Sequence, residues 1–73
     1  MTQKTFWKIQ YIDLCIFEFA HKYKLPPHFA YNYLKEHKGL DYLDEHYDYE
    51  HTQAMCETQK ALRIICRRNG GTL

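Results

Sequence analysis

The pair of residues that comes nearest to covalent chemistry in this chain is His51 with Cys56. Cys56 falls near the start of the last expected helix, where the positive end of the helix dipole lowers a thiol pKa, and an imidazole within reach would act as its base. A cysteine enzyme also needs an oxyanion site and a substrate cleft, and nothing in the sequence supplies either. A metal site would have to be drawn from His46, His51 and Cys56. Their five-and-five spacing neither shares one helix face nor matches the closely paired ligands of common zinc modules. His21, His28 and His37 are scattered. The expectation is therefore no enzyme, no metal and no cofactor.

Three groups of residues are better suited to recognition. Tyr47, Asp48, His51 and Thr52 can be read in two ways. In one, Thr52 caps the last helix and His51 ties down the preceding loop by a hydrogen bond. In the other, they form a polar patch at a helix N-terminus, where an anion or a partner's carboxylate would bind. Lys60, Arg63, Arg67 and Arg68 could touch phosphates, but four cations in a nearly neutral chain without a helix-turn-helix pattern more often form a solvated face. Trp7, Tyr11 and Leu14 are the strongest interface candidates, because Trp and Tyr are favoured anchors and a small bundle has difficulty covering a helix all round. They predict docking of a protein partner or self-association.

Helices must carry these residues. From about Thr5 to Lys22, Phe6, Ile9, Ile12, Ile16, Phe19, Ala20 and Tyr23 recur at helical spacing and make one apolar face. Lys4, Lys8, Glu18 and Lys22 oppose it, Trp7 and Leu14 lie outside it, and Cys15 falls at its margin. Asp13, projecting toward the apolar side, reads as an edge residue and not as a catalytic acid. Pro26-Pro27 stops this helix and starts the next, since proline suits a first helical turn. That second helix runs to about His37 with Phe29, Ala30, Tyr33, Leu34 and His37 as its stripe, and Gly39 stands where a left-handed cap belongs. A short helix follows from Leu40 to about His46, and Tyr47 to His51 reads as a polar connection. The last helix runs from about Gln53 to Arg68, with Ala54, Thr58, Ala61, Leu62, Ile65 and Cys66 facing inward and Gly70-Gly71 ending it. No stretch alternates as a strand would. The expected fold is all-α: a small bundle of three longer helices plus one short helix, one domain over 1–73, with disordered ends at 1–4 and 70–73.

Size points the same way. Seventy-three residues hide only about 60% of the surface that the unfolded chain exposes, which leaves little room for a pocket of about 300–1,000 Å³. Net charge is +1, with six acids and no Lys or Arg between 41 and 57, and four cations and no acid after that. This is either internal complementarity or a pair of charged faces. Cys56 and Cys66 on one helix would lie about 15 Å apart, beyond disulfide reach. With no signal-peptide pattern and charges interrupting every apolar run, the expected location is a reducing cytoplasm, with no membrane span.

Tyr33-Leu34, Lys38-Gly39, Leu40-Asp41-Tyr42-Leu43, Tyr47-Asp48, His51-Thr52 and Cys66-Arg67-Arg68-Asn69-Gly70-Gly71 together carry a resemblance. The chain resembles a family of short bacterial helical proteins, a domain of unknown function whose members share Tyr-Leu, Lys-Gly, Tyr-Asp, His-Thr and a Cys-Arg-Arg-x-Gly-Gly ending. The likeness covers nearly the whole chain, with Pro26-Pro27 replacing a polar capping residue common in the family. Genes of the family often lie beside one for an ADP-ribosyltransferase-like protein, as a toxin lies beside its small companion. The resemblance therefore implies an antitoxin-like or accessory subunit, a non-catalytic protein-interaction module for an ADP-ribosyltransferase-like partner. The alternative is a small nucleic-acid-binding regulator using Lys60, Arg63, Arg67 and Arg68.

Overall fold

A computed structural model describes residues 2–73, and the expectation of disorder at position 1 lies outside the described residues. The described chain is helical, with no strand among the described residues. Helix α1 spans Gln3–Tyr23, α2 Pro27–Glu36, α3 Gly39–Glu45, α4 Tyr47–Glu50 and α5 Met55–Arg68. Helix α1 packs against α2, α3 and α5, while α3 also touches α2, α4 and α5.

Local chemistry sets the ends. The Thr2 hydroxyl accepts from the Thr5 N–H at 3.2 Å, so α1 begins two residues earlier than its apolar pattern suggests. It stops at Lys24, which turns left-handed at φ 55° and sends its N–H back to the carbonyls of Ala20 and His21. Pro27 then occupies the first turn of α2. At the next corner the left-handed residue is Lys38, at φ 70°, and not Gly39. Gly39 is needed for space instead: a Cβ there would stand 2.9 Å from Leu34 Cδ2 and 3.2 Å from Cys66 Sγ. The segment expected as a polar connection forms the one-turn helix α4, which makes five helices among the described residues. Thr52 does not cap α5; Ala54 holds that position without a side-chain bond, and the Thr52 hydroxyl donates to the Tyr49 carbonyl at 2.6 Å.

The core unites Cys15, Ile16, Phe19 and Ala20 of α1 with Ala30, Tyr33 and Leu34 of α2, Leu43 of α3, and Leu62 and Cys66 of α5. Each large side chain enclosed there contributes about 1.5–3 kcal/mol of burial. Two expectations about α1 are corrected: Phe6 and Ile9 are exposed, and Cys15 is fully buried, not marginal. The partner helices are shorter than α1 and cover it only from about Tyr11 onward, so its first two turns project past the core. Phe29 and Ala54, expected inside, are also exposed, as is Asp13.

At the far end, a Cβ added to Gly71 would overlap the Tyr33 hydroxyl and stand 2.8 Å from the Cys66 carbonyl oxygen. The Leu73 N–H donates to that same hydroxyl at 3.1 Å, and the Arg67 Nε donates to the Leu73 carbonyl at 2.8 Å. His37 Nδ1 faces the Asn69 carbonyl at 3.0 Å, which makes Nδ1 the protonated nitrogen.

Candidate functional site

The acidic middle segment pairs with α1 and not with the arginines of α5. Lys8 reaches Asp44 at 2.7 Å and Lys4 reaches Asp48 at 3.3 Å. Through these contacts the end of α3 and the start of α4 lie alongside the exposed first half of α1. Between the two runs an open groove of about 400 Å³, lined by Trp7, Gln10, Tyr11 and Leu14 of α1 and by Tyr47 and His51 at α4. Two groups that the sequence presents separately thus share one surface. Asp48 and Thr52 do not line it: Asp48 is turned to Lys4, and Thr52 to Tyr49.

Aromatic faces make the wall. His51 stacks on Tyr47 with ring centroids 4.5 Å apart and planes 12° from parallel, and Tyr11 meets Tyr47 edge-on at 5.5 Å. His51 Nδ1 lies 2.7 Å from the Tyr47 carbonyl. Since a carbonyl only accepts, Nδ1 carries the proton and Nε2 is left as an acceptor in the neutral ring. Trp7 and Leu14, each 50% exposed, form the outer apolar lip.

Beneath the wall runs a buried polar chain that the sequence reading missed. Glu50 is only 3% exposed. The Tyr42 hydroxyl donates to its Oε2 at 2.6 Å, and the Thr58 hydroxyl stands 3.4 Å from its Oε1. With Thr58 donating to the carboxylate, its oxygen is free to accept from the Tyr11 hydroxyl at 3.2 Å. Burial holds the Tyr11 phenol well above its ordinary pKa, so it remains a donor. Burial, helped by the Glu50 bond, likewise pushes Tyr42 up to about 12. The groove wall is in this way bonded to α3 and α5. A glutamate in an acidic segment carries no local sign of burial, because its two donors stand eight residues away on either side, on α3 and α5.

The elements of a cysteine site are kept apart. His51 lines the groove at α4, whereas Cys56 lines a different one with Glu18, Lys22, Met55, Gln59 and Lys60. Burial pushes the two enclosed thiols, Cys15 and Cys66, up to about 11, the wrong direction for a nucleophile. All three cysteines are free. Among the described residues no group of three His, Cys, Asp or Glu side chains converges as a metal ion would require. In the core, Gln59 Nε2 donates to the Cys15 carbonyl at 3.1 Å, while Gln59 Oε1 is buried without a partner among the described residues.

The cations of α5 form their own surface. Lys60, Arg63 and Arg67 surround Ile64 in a shallow groove of about 420 Å³. Lys60 is paired with Glu57 at 3.5 Å and Arg67 with the Leu73 carbonyl, and Arg68 is exposed beyond them. Among the described residues no helix is long and apolar enough to cross a membrane.

The chain matches no curated protein and no solved structure. A family defined as a protein of unknown function, DUF3791, matches residues 10–69, from the middle of α1 to the C-cap of α5, and the chain belongs to that family.

Proposed function

We propose that this chain is a non-catalytic protein-interaction module that docks a protein partner along the α1–α4 groove. The observation that carries the reading is the meeting of Trp7, Tyr11, Leu14, Tyr47 and His51 on one surface, with Trp7 and Leu14 half exposed above a hydrogen-bonded base. Half-exposed aromatics over a rigid base are the usual make-up of an interface hot spot. Holding them fixed in the free chain reduces the entropy lost on docking. His51 Nε2 and the Gln10 amide supply polar partners beside the apolar lip.

The partner class follows from the motif resemblance: an ADP-ribosyltransferase-like protein, with this chain as its antitoxin-like or accessory subunit in a bacterial cytoplasm. Three free cysteines accord with a reducing compartment. The test is co-expression of the two proteins followed by affinity capture. The wild-type chain should hold the enzyme, and Trp7→Ala or Leu14→Ala should release it while melting as wild type does. Capture unaffected by either substitution would remove the groove from consideration.

A second reading, binding of nucleic acid through α5, has some support from the clustering of Lys60, Arg63 and Arg67 around one groove. Against it, Lys60 and Arg67 already have partners within the chain. It requires salt-sensitive DNA or RNA binding that an Arg63/Arg67/Arg68 triple alanine variant loses.

A further inference from the structure

The groove is one part of a longer exposed stripe. Gln3, Trp7, Gln10, Leu14, Phe17 and His21 follow one another at alternating steps of four and three residues, and all six are exposed. Alternation of that kind, averaging 3.5 residues, is the spacing of a coiled-coil seam. The seam extends for about 27 Å of α1, and Phe17, 60% exposed, lies beyond the groove. In a chain of this size a row of half-exposed Trp, Leu and Phe side chains is surface still without a cover.

We propose that a second copy of this chain covers it, α1 against α1 in antiparallel orientation, and that the homodimer is the resting form from which the partner displaces one copy. The inference rests on the reading of this face as an interface. Charge decides the occupant and its direction. With the helices antiparallel and the seam in register, Trp7 meets Phe17 of the second copy and Gln10 meets its Leu14. On one flank Lys4, which holds Asp48 of its own copy at 3.3 Å and is still 68% exposed, then also faces Glu18 of the second copy, and the two-fold axis repeats that attraction. A parallel pair would set Trp7 against Trp7 and bring Asp13 toward Glu18, a repulsion made twice, with both helix dipoles aligned. The area is also adequate. Half-exposed aromatic side chains offer on the order of 100 Å² each, and two seams with their flanks reach roughly 1,200 Å², the lower end of specific interfaces.

Sedimentation equilibrium on the full chain tests the proposal. The expected result is a dimer with a dissociation constant on the order of 10 µM; a monomer throughout, up to about 1 mM, overturns it. Phe17→Glu should raise the constant roughly 30-fold or more with an unchanged far-ultraviolet circular dichroism spectrum and melting temperature. Dimerisation as in wild type would show the seam to be wrong. Glu18→Lys alone should weaken the dimer by roughly 5-fold, and adding Lys4→Glu should restore it in a background carrying Asp48→Asn, which removes the carboxylate that Lys4 holds within its own copy. Failure of the double exchange to restore it overturns the antiparallel orientation. Asp13→Asn should tighten the dimer, because the axis places the two copies of that carboxylate together; no change counts against the register. The two readings separate cleanly: a monomer that still captures the enzyme sinks the dimer alone, and a dimer that never captures it sinks the docking role alone.

Discussion

The His51 imidazole lies flat on the ring of Tyr47, centroids 4.5 Å apart, while its Nδ1 is tied to the carbonyl of that same residue at 2.7 Å. One side chain thereby closes the one-turn helix α4 and forms part of the groove surface. Helices this short do not hold by themselves. His51→Ala is expected to cost about 1 kcal/mol, from one hydrogen bond and one ring contact at a partly solvated site. Hydrogen exchange should speed up at the amides of Glu50 and His51 and stay slow in α2. Uniform acceleration throughout would mean that α4 has no separate stability.

Glu50 makes a sharper case. Tyr42→Phe removes the 2.6 Å bond to a buried carboxylate and leaves that oxygen without its donor. The expected loss is about 1.5–3 kcal/mol in urea denaturation. The double variant Tyr42→Phe/Glu50→Leu should recover part of it, because the stranded charge goes with its donor. A loss under 0.5 kcal/mol for the single variant would show that the carboxylate is effectively solvated.

Alkali should unfold the chain early. Cys15 and Cys66 sit at about 11 when folded against an ordinary 9.0, and Tyr42 at about 12 against 10.0. Folded values raised above unfolded ones mean that the native state holds protons which the unfolded chain releases. Their stabilisation is complete below about pH 9 and is lost progressively as pH climbs toward 12. The melting temperature should be level from pH 7 to 8.5 as far as these groups act, and should fall beyond about 9. A level curve through pH 11 would contradict the burial of these groups.

Gly71→Ala tests the C-terminal contact. The new Cβ would overlap the Tyr33 hydroxyl and approach the Cys66 carbonyl at 2.8 Å, so the tail must lift and the Leu73–Tyr33 bond must break. The expected cost is about 1–2 kcal/mol. Carboxypeptidase should trim the variant faster than wild type; equal trimming would mean that the tail contact contributes nothing.

Much of the helical pattern was legible in the residues. Pro26-Pro27 and the apolar spacing locate α1 and α2, and the inward Thr58, Leu62 and Cys66 of α5 follow from spacing alone. The spacing of α1 did not reveal how far along its face the cover extends. Phe6 and Ile9 share a face with Ile16 and differ only in having no helix above them. Nor did spacing show that Cys15, one step from the stripe's centre, would lie between α1 and α5 with the Gln59 amide on its carbonyl. The site followed the same division. Trp7 and Leu14 stand out because they break the amphipathic pattern, whereas their meeting with Tyr47 and His51 goes with contacts across the fold that spacing does not show: the buried Tyr11–Thr58–Glu50 chain and, outside it, the exposed pairs Lys4–Asp48 and Lys8–Asp44.

The corners at the two ends of α2 are turned by lysines held left-handed, Lys24 at φ 55° and Lys38 at φ 70°. A side chain in that conformation costs roughly 1 kcal/mol more than glycine would. Neither lysine lines the α1–α4 groove. The molecule therefore keeps a stability reserve at its hinges, and Lys24→Gly with Lys38→Gly should yield a hardier scaffold in which even disruptive groove substitutions can be studied at body temperature.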